Sequence, residues 1–223
     1  MISLDTQEAK RADNRSQAIN EAGKFEGVIT RAEKLKSEKG ATGVGFSFKS
    51  DSGATANYLD LYTHNAKGEK LPSNAIVQAI LCCTKTKQVD EGMIEVEKWD
   101  KDAKSTYKTK VEGYPDLIGK RVGFLFQREL SDNPKDPSKH NDRVIIYGVF
   151  ESGTDFTASE ILDKATKPEK LPKMVQYISE HPVNDRRTNK APAAANTAPA
   201  GGFDDFSDDI PFMNPYKFNW RTL

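Results

Sequence analysis

The chain has 223 residues, 33 Lys/Arg against 33 Asp/Glu, and 36% hydrophobic residues. That composition accommodates one domain of about 150 residues with polar extensions, or two small domains. It excludes a membrane-spanning helix, because no window approaches the ~18 consecutive apolar residues a span needs. The neutral total hides a separation: residues 201–223 hold four Asp against Lys217 and Arg221, leaving 31 basic and 29 acidic side chains over residues 1–200. So weakly cationic a body binds an anion through a local groove, not through overall charge. The first ten residues lack the basic start and apolar stretch of a signal peptide. The only cysteines, Cys82 and Cys83, are adjacent in an apolar run and suit a reducing compartment, so a cytoplasmic protein is expected.

Residues 1–22 are polar with a weak Ala/Ile stripe and read as a short helix or an arm. From residue 23 the texture becomes strand-like. Lys24–Leu35, Gly43–Ser50 and Ala54–Thr63 form a meander joined by Gly-bearing turns, with Gly27 as a bend or bulge. Ala75, Ile76, Ala79, Ile80 and Cys83 then recur at helical spacing behind Ser73 or Asn74 as N-cap. Strands return at Met93–Trp99, Gly119–Glu129 and Asp142–Phe150, with a polar hairpin or loop through Lys101–Ser105 and a Pro/Asp/Lys-rich loop from Leu130 to Asn141. Three strands, a helix and further strands is the order of an OB-fold. The predicted class is therefore mainly β, a five-stranded OB-like barrel with one inserted helix over residues 23–152. Short helices follow over 153–185, where Thr157 and Glu160 have capping-box spacing. A flexible linker over 186–202 and an acidic tail over 203–223 complete the chain.

Sequence-tolerant recognition of a single strand needs aromatic faces for bases and cations for phosphates. Phe46 and Phe48 share a strand face, with Lys49 on the other; Tyr58 and Tyr62 lie opposite Leu59 and Leu61, which are the better core residues. Trp99 sits in a charged stretch, Tyr107 lies near Lys108 and Lys110, and Phe126 is in phase with Arg128. Lys24, Arg31, Arg121, Arg143 and Tyr147 complete the candidate contacts. Four to six phosphate contacts correspond to a slope of log affinity against log salt of roughly −3 to −4. A Phe in a strand is more often core than stacker, whereas a Tyr ring stays half wet. His64, His140 and His181 have no partner at ligand spacing, and no phosphate-cradling Gly motif occurs, so no metal, cofactor or enzymatic chemistry is expected.

The C-terminal tail is the most distinctive segment. A Pro/Ala linker, Lys190–Ala200, leads to Asp204, Asp205, Phe206, Asp208, Asp209, Ile210, Pro211 and Phe212, an acidic strip with apolar anchors. Such a segment cannot offset its own ordering entropy and suits a basic, apolar groove on another protein. Asp208-Asp209-Ile210-Pro211-Phe212 after such a linker resembles the acidic tip of bacterial and phage single-stranded DNA-binding proteins. The family's tip ends at its Phe, whereas Met213–Leu223 follows here, with Tyr216, Phe218 and Trp220 alternating. The resemblance implies an OB-fold body that coats single-stranded DNA without sequence preference. It also implies recruitment of replication or recombination proteins through residues 203–212, and it leaves homo-oligomerisation open. The rival expectations are a replisome adaptor whose barrel binds protein and a mediator that anneals complementary strands.

Overall fold

Runs of β-branched and aromatic residues cut by Gly-bearing turns favour strands. The computed structural model, which describes residues 4, 6, 18–100, 105–133, 136 and 139–188, is mainly β. Among the described residues the strands are β1 (Gly23–Lys36), β2 (Thr42–Ser50), β3 (Thr55–His64), β4 (Gly92–Asp100), β5 (Ser105–Gly113), β6 (Arg121–Asp132), β7 (His140–Phe150) and β8 (Val183–Asp185). The helices are α1 (Ser73–Cys83), α2 (Ala158–Leu162) and α3 (Lys170–Glu180), and a 3-10 turn occupies Pro115–Leu117.

The 14-residue β1 organises the sheet. Its first half pairs with β6, its second half with β2, and it meets β5 at Glu33↔Gly113. β3 continues from β2, β4 from β5 and β7 from β6, all antiparallel, while β8 adds parallel to β6. The strand count exceeds the five expected. Eight strands form one curled sheet, and β3 and β7 approach each other with no ladder between them, so the sheet is not closed. Helix α1 packs against both β3 and β7. At Gly27 the strand lies in two ladders at once, opposite Ser50 and Val122. A Cβ there would sit 2.1 Å from the Lys49 carbonyl oxygen, so only glycine fits.

The core between the sheet's inner face and α1 is aromatic. Phe46, Phe48, Phe124 and Phe126 are fully buried, and Phe48 meets Phe124 edge-on at 5.0 Å between centroids. The N-terminal arm enters this core through Ile19, whose N–H donates to the Thr55 carbonyl. On the other face of β6, α3 packs Met174 and Ile178 over Leu125, and a Cβ at Gly148 would strike Met174 Cε.

Several sequence expectations change. The helix cap is Pro72, with Ser73 and Asn74 inside α1 and no side chain capping it. Residues 105–113, read as loop or hairpin, are strand β5; β6 and β7 run on to Asp132 and from His140, shortening the expected loop. The post-barrel segment contains both expected helices and also strand β8. The readings for residues 1–17, the linker and the acidic tail lie outside the described residues, apart from Leu4, Thr6 and Arg186–Thr188. Among the described residues no helix is long and apolar enough to cross a membrane.

One carboxylate joins the two helices that follow the sheet. Glu160 is buried; its Oε2 accepts the Thr157 N–H and hydroxyl at 2.8 and 2.7 Å, closing the predicted capping box. Its Oε1 accepts the Glu169 and Lys170 N–H groups at 2.7 and 2.8 Å, at the start of α3. Burial alone would raise this carboxyl, but the four hydrogen bonds outweigh it and hold it below the ordinary glutamate value. A depressed folded value contributes stability above the unfolded pKa that is lost as pH falls through the folded one. Glu160→Gln should therefore destabilise the protein by about 1–3 kcal/mol at pH 7. In urea titrations at several pH values, that gap should narrow as the pH drops below about 4; a gap independent of pH would contradict the assignment.

Candidate nucleic-acid interface

Side chains in a strand alternate faces, and one extra residue reverses the alternation. β1 carries such a residue at Thr30: Ile29 pairs with Phe48 and Arg31 with Ser47. β3 carries another, since Asn57 and Tyr58 together oppose Ser47 between the pairs Phe46↔Leu59 and Phe48↔Ala56. Ile29, Ala32, Ala56, Leu59 and Leu61 consequently all turn inward, and every one is buried. Arg31 and Glu33 on β1, Gly43, Gly45, Ser47 and Lys49 on β2, and Tyr58, Asp60 and Tyr62 on β3 share the outer face. On β2 the Gly43 and Gly45 positions are buried, with Leu35 and Asp60 closing over Gly45, and Lys49 is the exposed side chain of that strand.

Tyr58 is the most conspicuous member. It is 68% exposed, its φ is +58°, and the Arg31 guanidinium lies over its ring at 5.6 Å. A left-handed backbone is unfavourable for a tyrosine and is imposed here by the bulge. Asp60, two residues on, leans over Gly45. Desolvation pushes its carboxyl above the ordinary value, with Glu33 pushing the same way and Arg31 and Arg143 opposing.

The β4–β5 hairpin forms the other wall. Gly92, Gly113 and Glu33 lie side by side, and Lys98 is six residues further along β4, about 20 Å for an extended strand. Yet Lys98 Nζ donates to Glu33 Oε1 at 3.2 Å. A flat hairpin would hold these side chains beyond each other's reach, so it curls over the outer face of β1. Tyr107, the cross-strand partner of Lys98, is 48% exposed on that same side. Arg31 Nε donates to Glu33 Oε2 at 2.9 Å. The result is a concave surface on which two exposed tyrosines bracket an Arg31–Glu33–Lys98 link.

The predicted contact residues divide. Arg31, Lys49, Tyr58, Tyr62 and Tyr107 belong to this surface. Phe46, Phe48 and Phe126 are corrected to core residues, since with no exposed area they offer no face to a base. Tyr147 is covered: its ring stacks on Tyr177 at 5.6 Å, Tyr177 stacks on His181, and burial pushes the Tyr147 hydroxyl up to about 12. Lys24 pairs with Asp155, Arg121 with Asp51, Arg128 with Asp142, Arg143 with Glu129 and Lys108 with Glu95. Lys108 and Lys110 lie on the hairpin face opposite Tyr107. The Trp99 side chain and residues 204–212 lie outside the described residues. Glu33 and Lys98 were not among the predicted contacts; they are 65 residues apart, and no local pattern joins them. Comparison of the chain with protein-family models and with curated proteins gives no match.

The bulge makes a stability prediction. Tyr58→Gly removes the left-handed strain and a surface cation–π contact, each worth about 1 kcal/mol, so thermal unfolding should be unchanged or slightly higher. Tyr58→Val, β-branched at the same φ, should lower stability by more than about 1 kcal/mol. Equal loss in both variants would show that the ring, not the backbone, is what the fold needs there.

Proposed function

We propose that this protein binds single-stranded DNA without sequence preference, coating it during replication or recombination, and recruits partner proteins through residues 203–212. It acts in the cytoplasm, which is a host's if the chain is phage-encoded. The observation that carries the reading is the pairing of exposed tyrosines with cations on one concave face: Tyr58 with Arg31, and Tyr107 with Lys98. Unstacked bases lie on such rings at about 1–3 kcal/mol each, while neighbouring cations meet the phosphates. The likeness of the acidic strip to the tip of single-stranded DNA-binding proteins supports the recruiting role.

Ion pairing limits the electrostatic share. Five predicted cations have acidic partners elsewhere, so Arg31, Lys49 and Lys98 are the principal phosphate contacts. Three contacts at about 0.7 each correspond to a salt slope near −2, shallower than −3 to −4. The same ion pairing favours the adaptor reading, in which the concave face takes a protein, as the specific rival. An annealing mediator would bind strands too and would also pair complementary ones.

Fluorescence anisotropy of labelled oligo-dT at several salt concentrations separates these readings. Binding should be measurable at low salt, should exceed duplex binding, and should weaken with a slope near −2. Deleting residues 203–223 should leave that affinity unchanged or raised while abolishing partner capture. No binding to oligo-dT, or equal binding to duplex, would overturn the proposal and leave the adaptor.

A further inference from the structure

We infer that Lys98 is a phosphodiester subsite that the protein's own Glu33 carboxylate, anchored by Arg31, occupies until a strand arrives. The inference rests on the single-strand reading above and names what that face does with its first phosphate. Glu33 is only 9% exposed, and its two oxygens accept from cations on opposite walls of the concave face: Oε2 from Arg31 on β1, Oε1 from Lys98 on β4. Arg31 stands between Glu33 and Asp60 beside the Tyr58 ring, and Lys98 adds the second cation to this cluster. A phosphodiester has the same charge and the same kind of acceptor oxygens as the carboxylate it would replace.

The two halves of the link are unequal. The Arg31 side chain is 18% exposed, places two N–H groups on one oxygen and lies over Tyr58. Drawing it away would leave a buried carboxylate unpaired, which is strongly unfavourable. The Lys98 side chain is 42% exposed and makes a single contact. An ammonium is a point charge on a flexible stem and exchanges acceptors without geometric demand. Lys98 is thus the releasable partner: a phosphate takes Lys98, while Glu33 keeps Arg31.

That exchange also frees the hairpin. β5 is joined to β1 at the single pair Glu33↔Gly113, and the Lys98–Glu33 bond ties the curled hairpin down beyond it. Strand entry therefore loosens the β4–β5 wall, and the competing carboxylate selects for ligands that bring more than a phosphate. A mononucleotide or inorganic phosphate must displace Glu33 from Lys98 with little return. A strand also gains stacking on Tyr58 and Tyr107.

The test uses the full chain, oligo-dT anisotropy across a salt series, and amide hydrogen exchange of residues 92–100 and 105–113 in the free protein. Glu33→Gln should bind oligo-dT tighter by roughly two- to fivefold, the range of a partly exposed ion pair, with the salt slope unchanged. Lys98→Met should bind more weakly and lose about 0.7 from the slope. Both should speed exchange in the free hairpin. If the wild type binds oligo-dT but Glu33→Gln binds equally or more weakly while melting as the wild type does, the subsite assignment is wrong. If Glu33→Gln does not fold, Lys98→Met decides, and an unchanged slope overturns the assignment. A wild type that ignores oligo-dT refutes the single-strand reading itself, a result distinct from either.

Discussion

Two surplus residues determine which side chains of this sheet meet water. Strict alternation would put Ile29 and Arg31 on one face of β1, burying a guanidinium beside Phe48 or exposing an isoleucine. The bulge at Thr30 removes that conflict, and the bulge at Asn57–Tyr58 does the same for Ala56 and Leu59 on β3. Both irregularities lie opposite Ser47 on β2, so the two neighbours shift together and stay in phase. Ile29, Ala32, Phe46, Phe48, Ala56, Leu59 and Leu61 consequently share the inner face, and Arg31 and Tyr58 meet on the outer face. The strain in the Tyr58 backbone is the local cost of a consistent core.

The outer face is then divided by what covers it. Over β6 and β7 it is closed by α3 through Leu125, Met174 and Ile178, and the Tyr147–Tyr177–His181 stack belongs to that covered region. Helix α3 also meets β1, and the β4–β5 hairpin curls above the outer row of that strand, held by Lys98 and Glu33. On the proposed reading, the moderate charge of this face would make stacking the larger contributor to strand binding.

Much of this was legible in the sequence, for identifiable reasons. Gly-bearing turns between alternating runs mark β1–β3, and the Leu59/Leu61 parity places Tyr58 and Tyr62 outward. Thr157 and Glu160 announce their helix because the cap is local. Strand β5 is hidden because Ser105–Lys110 is polar on both faces, and the strand stands off from the body. The bulges leave no compositional trace: Thr30 and Tyr58 are ordinary strand residues, and only pairing with β2 exposes the extra position. Phe46 and Phe48 were given the correct shared face, but alternation alone does not say which face is inside. Strand order carries no information about whether β3 and β7 pair, and they form no ladder.

The account's central claim is that bases lie on the Tyr58–Tyr107 side of the molecule. Tyrosine nitration read by peptide mass spectrometry tests this most directly, because Tyr58, Tyr107 and Tyr177 are all well exposed, at 68%, 48% and 45%. Saturating oligo-dT should slow nitration of Tyr58 and Tyr107 and leave Tyr177 as reactive as before. Protection of Tyr177 with Tyr58 and Tyr107 unaffected would put the strand over α3 and contradict the account.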